Sequence, residues 1–203
     1  MNKSRKLSKM IRNVSSLDVK KISHLHYTEL KGEFLPSLGR NFLEKLYKGL
    51  IKEKGTFILA LEEKNALKGF LVGSFDFKQS FKKIIRDNFF NFSKEIVKQV
   101  FKNPTLLKNI IETLLYTKKG ISGSPSAELV VICIESQSQR QGMGNQLVKE
   151  LEKIFKNQGV KKYKVSVNSV KSPANLFYKA LGFKKNKQIS IYGKRFNILI
   201  KNL

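Results

Sequence analysis

"AELVVICIESQSQRQGMGNQLVKEL", Ala127 to Leu151, is the stretch that decides the fold. Its start, "AELVVICI", is an apolar run interrupted only by Glu128, as expected of a strand covered on both faces. A short polar run follows, closing on Gly142 and Gly144 where an amphipathic helix begins. The first turn of a helix has unpaired N–H groups and a partial positive charge, so it attracts an anion. A side chain there would hold a phosphate off, whereas glycine lets the backbone close on it. Gln139-x-x-Gly142-x-Gly144 therefore reads as a diphosphate cradle. It is not the dinucleotide fingerprint, which needs three glycines early in a βαβ unit, and no Gly-Lys-Ser/Thr follows to make a P-loop. The ordinary alternative is a plain tight turn that lets the helix pack.

Composition sets the frame for that motif. The 203 residues suit one domain, with 41% apolar residues and 15 phenylalanines available for a core. The only cysteine, Cys133, lies inside the apolar run, so neither a disulfide framework nor a metal-ligand cluster is expected. No apolar stretch is long enough for a membrane span, and the basic N-terminal segment lacks the apolar core of a secretory signal, so a cytoplasmic protein is expected. The net charge of +25 points to an anionic partner: nucleic acid, a membrane surface or an acidic ligand. Lysine is spread along the whole chain rather than gathered in one block, which argues against a dedicated, specific nucleic-acid site.

Periodicity organises the rest. Ser15 to Asp18 has the form of a capping box, and apolar positions then recur at Leu17, Ile22, Leu25 and Leu30, predicting a helix over about 16–30. "KGEFLPSLG" (31–39) reads as a loop. A second helix carries Phe42, Leu43, Leu46, Tyr47 and Leu50, with Gly55 past its end. "TFILALEE" and "LKGFLVGSFDF" read as a hairpin around "KNA". Two helices are expected as an insertion at about 78–120, one running from Phe81 to Val100 and one from Leu106 to Leu115, separated by Asn103-Pro104. After the glycine helix come a strand (Tyr163 to Val167), a helix around "SPANLFYKALGF" and two closing strands. The chain is thus read as a single α/β (α+β) domain over 1–203.

The strand, loop and helix of 127–151, followed by "ANLFYKALGF", resemble the GNAT superfamily of acyl-CoA-dependent N-acyltransferases. The resemblance is carried by Ala127 to Phe183, is generic for 16–77 and is absent for the insertion. It implies a central, mixed, mostly antiparallel sheet with a bulged and splayed central strand, flanked by helices. It further implies acetyl-CoA as cosubstrate and no metal. The backbone of Ile132, Cys133 and Ile134 would pair with the pantetheine arm. Arg140, Gln141, Gly142, Met143, Gly144 and Asn145 would hold the pyrophosphate. Tyr178 matches the tyrosine that protonates the departing sulfur, and Glu128 matches the glutamate that activates the amine in histone acetyltransferases of this superfamily. Lys171 stands where many members have an asparagine, with Asn168 and Asn175 nearby. Direct transfer needs no covalent cysteine, so Cys133 is read as a small core residue, and His24 and His26 as surface or packing residues.

The acceptor is less legible. The loop "GEFLPSLGRNF" (32–42) is expected to shape its pocket. A small-molecule primary amine (an amino sugar, amino acid or polyamine) is the first expectation and a protein N-terminus or lysine the nearest rival. A non-catalytic module of the same fold that binds nucleic acid or anionic lipid is the reading from another class. The insertion's apolar stripes suit packing, a homodimer face or a membrane surface.

Overall fold

The computed structural model describes residues 9–110, 112, 124–170, 173–191 and 193–203. Seven strands form one sheet in the order β1-β2-β3-β4-β5-β7-β6. They are β1 (Lys9–Asn13), β2 (Thr56–Glu63), β3 (Ala66–Ser74), β4 (Glu128–Ile134), β5 (Lys162–Asn168), β6 (Lys184–Ile191) and β7 (Lys194–Asn202). Every pairing is antiparallel except β4 with β5. The parallel pair is short: Glu128 faces Lys164, Leu129 faces Val165, and pairing stops there. On its other edge β4 stays with β3 to Ile134, with the register shift between Val72 and Gly73 leaving Val130 as the extra residue of a bulge. The bulge turns β4 away from β5, and the sheet opens into a cleft beyond Leu129. The expected mixed, mostly antiparallel sheet with a splayed central strand is present.

Alternation along the inner strands sends side chains to two cores. Leu59, Leu61, Leu71 and Leu129 face α6 (Met143–Asn157) and α7 (Pro173–Ala180). Ile58, Phe70, Val72 and Cys133 face α1 (Val19–Glu29) and α3 (Arg40–Lys52). In α6, Leu147, Val148, Leu151 and Phe155 are fully buried, each worth roughly 1.5–3 kcal/mol of apolar burial. Lys64 and Asn65, both at positive φ, make the tight turn between β2 and β3.

One strand is added to the sequence reading and three local expectations need correction. The basic N-terminal segment carries β1, an edge strand too short to read as one, and Arg12 on it binds Asp18 twice (2.8 Å) and Glu62 (2.6 Å). The capping box is real, since the Asp18 carboxylate accepts from the N–H and hydroxyl of Ser15. It opens a 3-10 turn, however, and Leu17 lies 87% exposed outside the helix that follows. The loop at 31–39 contains a four-residue helix, α2 (Phe34–Ser37). The helix expected from Phe81 to Val100 is two, α4 (Phe77–Asp87) and α5 (Phe89–Lys102), broken at Asn88. At the break the Ile84 carbonyl accepts from both the backbone N–H (3.2 Å) and the side-chain amide (3.1 Å) of Asn88, whose φ of −125° and ψ of 26° lie outside the helical range. A further helical stretch covers 105–110, and Leu114 and Leu115 lie outside the described residues.

Candidate active site

The cleft opened by the splayed strand has a volume of about 470 Å³. One wall is the end of β4 with Ile132, Cys133 and Ile134; the floor is the loop and first turn of α6; the opposite wall is α7 with Phe177 and Tyr178. The residues expected at the cofactor, Arg140, Gly142, Met143, Gly144 and Asn145, meet there with Tyr178. Gln141 and Glu128 do not line it.

The loop is held by its own side chains. The Glu135 N–H donates to the Lys68 carbonyl (2.9 Å), and its carboxylate accepts from Lys68 Nζ (2.6 Å) and Ser138 Oγ (3.0 Å). The hydrogen bond from Lys68 holds the Glu135 carboxyl below its ordinary pKa. Gln139, first residue of the motif and part of the cleft lining, turns back to donate to the Ile134 carbonyl (3.1 Å) and so caps the strand.

The two glycines do different jobs. Gly142 is the N-cap of α6 at φ +76°, a left-handed conformation, and a Cβ there would meet nothing within 4 Å. Arg140, two residues earlier, also has positive φ (59°), and such alternation turns backbone amides into an anion-binding concavity. The first amide after the cap whose intrahelical acceptor exists is Gln146, bonded to Gly142 O at 3.1 Å, which leaves the earlier N–H groups directed at the cleft. A Cβ on Gly144, in contrast, would stand 3.1 Å from the Phe177 ring, so this glycine brings α7 close to α6. The open volume over Gly142, the unpaired amides and the absence of acid in the first turn fit a diphosphate. Met143 is buried in the core and offers only its backbone, while the Arg140 side chain is exposed and free to pair with phosphate.

Tyr178 is 4% exposed, wedged between Phe177 and Phe183 with ring centroids 5.1 and 5.2 Å away. Burial raises its pKa well above that of an ordinary tyrosine, so the hydroxyl keeps its proton throughout the neutral range. Cys133 lends its backbone to the cleft while its side chain enters the opposite core, Sγ lying 3.8 Å from the Leu25 carbonyl. Burial, with the Glu29 carboxylate adding to it, pushes the thiol up to about 12, which disqualifies it as a nucleophile at neutral pH.

Glu128 sits at the vertex where β4 and β5 part, 3.6 Å from Lys164 Nζ. Burial raises its pKa, with Lys164 and Ser166 pulling it back. A carboxylate that sequence reasoning missed, Glu29, does line the cleft and accepts a hydrogen bond from Ser136 Oγ. Its only sequence signal is its place in the last turn of the first helix. Asn175 donates to the carbonyls of Asn168 (2.8 Å) and Val170 (3.0 Å), tying α7 to the end of β5. Lys171 lies outside the described residues. His26, expected on the surface or in packing, is a packing residue bonded to the Tyr47 hydroxyl at 2.6 Å, and His24 is exposed.

The α1–α2 loop reaches across to the last hairpin, where Lys194 Nζ donates to the Gly32 carbonyl (3.3 Å). Gly32, Pro36, Ser37 and Gly39 to Asn41 of this segment line a groove of about 480 Å³, and its other wall is α5. Among the described residues there is no cluster of His, Cys, Asp and Glu able to hold a metal, and no helix long and apolar enough to cross a membrane.

Residues 114–192 match the family model of the acetyltransferase (GNAT) domain. No curated protein sequence matches the chain. Among solved structures, the N-acetyltransferase of Staphylococcus aureus Mu50 is similar over 95% of this chain and 100% of its own, at 17% identity and a TM-score of 0.64. The PaiA N-acetyltransferase of Thermoplasma acidophilum, solved in complex with coenzyme A, is similar over 97% of this chain and 100% of its own (16% identity, TM-score 0.61). The ribosomal-protein-S18-alanine N-acetyltransferase of Escherichia coli is similar over 96% of this chain and 94% of its own (13% identity, TM-score 0.60). At these identities the likeness speaks for the fold. The chain therefore has the fold of these acetyltransferases, and its residues 114–192, which hold the glycine loop at the mouth of the splayed strand, carry the match to the acetyltransferase (GNAT) domain.

Proposed function

We propose that the protein transfers an acetyl group from acetyl-CoA to a primary amine on a small molecule such as an amino sugar, an amino acid or a polyamine. The observation that carries this reading is the N-terminus of α6, open over Gly142, in the same cleft as a buried, protonated Tyr178. When bound there, the thioester supplies an activated acetyl carbonyl. The amides of Gly142 to Asn145 and the Arg140 guanidinium hold the diphosphate, and the β4 backbone at Ile132 to Ile134 aligns the arm and offers an N–H to the developing oxyanion. The amine enters from the side of the α1–α2 loop and the β6–β7 hairpin. Glu128, acting through water, takes the proton that the ammonium must lose before its nitrogen can form the new C–N bond. Tyr178 gives its proton to the sulfur as the C–S bond breaks.

Thiol release from acetyl-CoA over a panel of amines and one alanine-initiated peptide tests the proposal. The expected result is turnover with one class of small amine. Turnover confined to the peptide would move the assignment to protein N-termini. Binding of acetyl-CoA without turnover of any acceptor would favour the non-catalytic reading. Glu128→Gln and Glu29→Gln divide the base role. If Glu128 is the base, its replacement removes the fall in rate on acidification, which lies above the ordinary carboxylate range because the folded pKa is raised. If only Glu29→Gln does so, the base is Glu29.

A further inference from the structure

Helix α5 docks through one face. Phe92 is buried against Phe42 (ring centroids 5.0 Å), and Lys45 reaches from α3 to the Asn91 carbonyl (3.0 Å) and the Glu95 carboxylate (2.8 Å). Helical geometry puts Phe90, Val97 and Phe101, at i, i+7 and i+11, on the opposite face. Phe90 and Phe101 are each 86% exposed. Large aromatic side chains left this bare on a convex surface ask for a partner. Lys94, Lys98 and Lys102 flank the stripe in successive turns, and none has an ion-pair partner among the described residues. Lys98 and Lys102 turn toward the groove beside the α1–α2 loop, where Lys31 and Arg40 also lie.

We propose that α5 seats the protein on the surface of an anionic lipid bilayer, its phenylalanines entering the interface and its lysines meeting headgroup phosphates. Protruding rings on a convex helix suit a deformable apolar layer, and interleaved lysine and phenylalanine is the pattern of helices that lie in that plane. A second copy of the chain is the poorer occupant. A two-fold contact through this stripe would set the unpaired lysines of both copies against each other, on chains that each carry +25. The attraction to acidic headgroups has the opposite sign.

Co-sedimentation of the full chain with vesicles tests this. The vesicles are pure phosphatidylcholine, or phosphatidylcholine with about one-third phosphatidylglycerol, in about 150 mM salt. Wild type is expected to partition at least about tenfold more strongly onto the anionic vesicles. Phe90→Ser/Phe101→Ser and Lys98→Gln/Lys102→Gln should each weaken that binding about tenfold or more, with melting temperature and acetyl-CoA binding unchanged. Phe101→Ser alone, with a smaller loss of the same sign, serves if a double variant does not fold. Failure of wild type to bind anionic vesicles would overturn the proposal. So would binding undiminished by loss of the phenylalanines, which would be diffuse attraction to a polycation. A dimer in sedimentation velocity that the phenylalanine variant dissociates would assign the face to a second copy instead.

Discussion

The two faces of the sheet are built from the same apolar vocabulary and use it differently. On the face of α6 and α7, Leu147, Leu151, Phe155, Tyr163 and Tyr178 close a core whose helices are placed by backbone demands: a left-handed Gly142, and a Gly144 that lets Phe177 approach. On the face of α1, α3 and the insertion, the core holds a buried His26–Tyr47 pair, and α5 buries Phe92 while leaving Phe90 and Phe101 exposed. The first face is constrained at single positions by geometry, the second by bulk burial. Burial tolerates many residues, whereas a positive φ beside a ligand tolerates few. Chemistry that depends on placement within a fraction of an ångström therefore belongs on the first face.

The largest expected effect falls on the geometric face. Gly142→Glu puts a side chain and a negative charge into the open space over the first turn of α6. The loss of acetyl-CoA binding should be complete: millimolar acetyl-CoA raises the melting temperature of wild type and leaves that of the variant unshifted. An unshifted wild type would instead mean that the cradle binds something else. Next in size is Tyr178→Phe, which keeps the ring among Phe177 and Phe183 and removes only the hydroxyl. The expected fall in kcat is about 10²-fold with the melting temperature held, measured where chemistry limits the rate. An unchanged kcat would reduce Tyr178 to a core aromatic and make the two faces alike.

The same contrast explains what could be read in the sequence. The strand, loop and helix of 127–151 were legible because each special residue has a local backbone reason to be there. The bulge at Val130 was reachable only through the family resemblance, since nothing in "AELVVICI" marks which residue is extra. On the other face, spacing places Ile84, Phe89 and Phe92 on one stripe; Ile84 and Phe92 are buried, yet Phe89 is 59% exposed, because spacing alone does not fix which edge of a helical stripe meets the core. The break at Asn88 was hidden for a related reason: the apolar period runs straight through it, while Asn88 itself leaves the helical range (φ −125°, ψ 26°). Glu29 escaped because its position in the cleft depends on how α1 crosses the sheet.

The smallest effect concerns the bulk-packed face and the imidazole buried inside it. His26 is 2% exposed, with its Nδ1 beside the Tyr47 hydroxyl, and burial lowers its pKa to about 4. In the unfolded chain the ring titrates near 6.5. Between those values the unfolded state binds a proton that the folded state refuses, so the unfolded state is favoured as the pH falls. The stability at stake is whole above pH 6.5, erodes on acidification through that value and levels off below about 4. Between pH 7 and pH 5 the loss from this residue amounts to about 2 kcal/mol. His26→Gln keeps a polar partner for Tyr47 but cannot take up the proton, so its stability starts lower at pH 7 and falls less on the way to pH 5. The measurement is urea unfolding of both proteins at the two pH values, read as the difference of differences. Equal slopes would mean that His26 gains its proton without leaving the core, and the packed face would then be more permissive to charge than its burial implies.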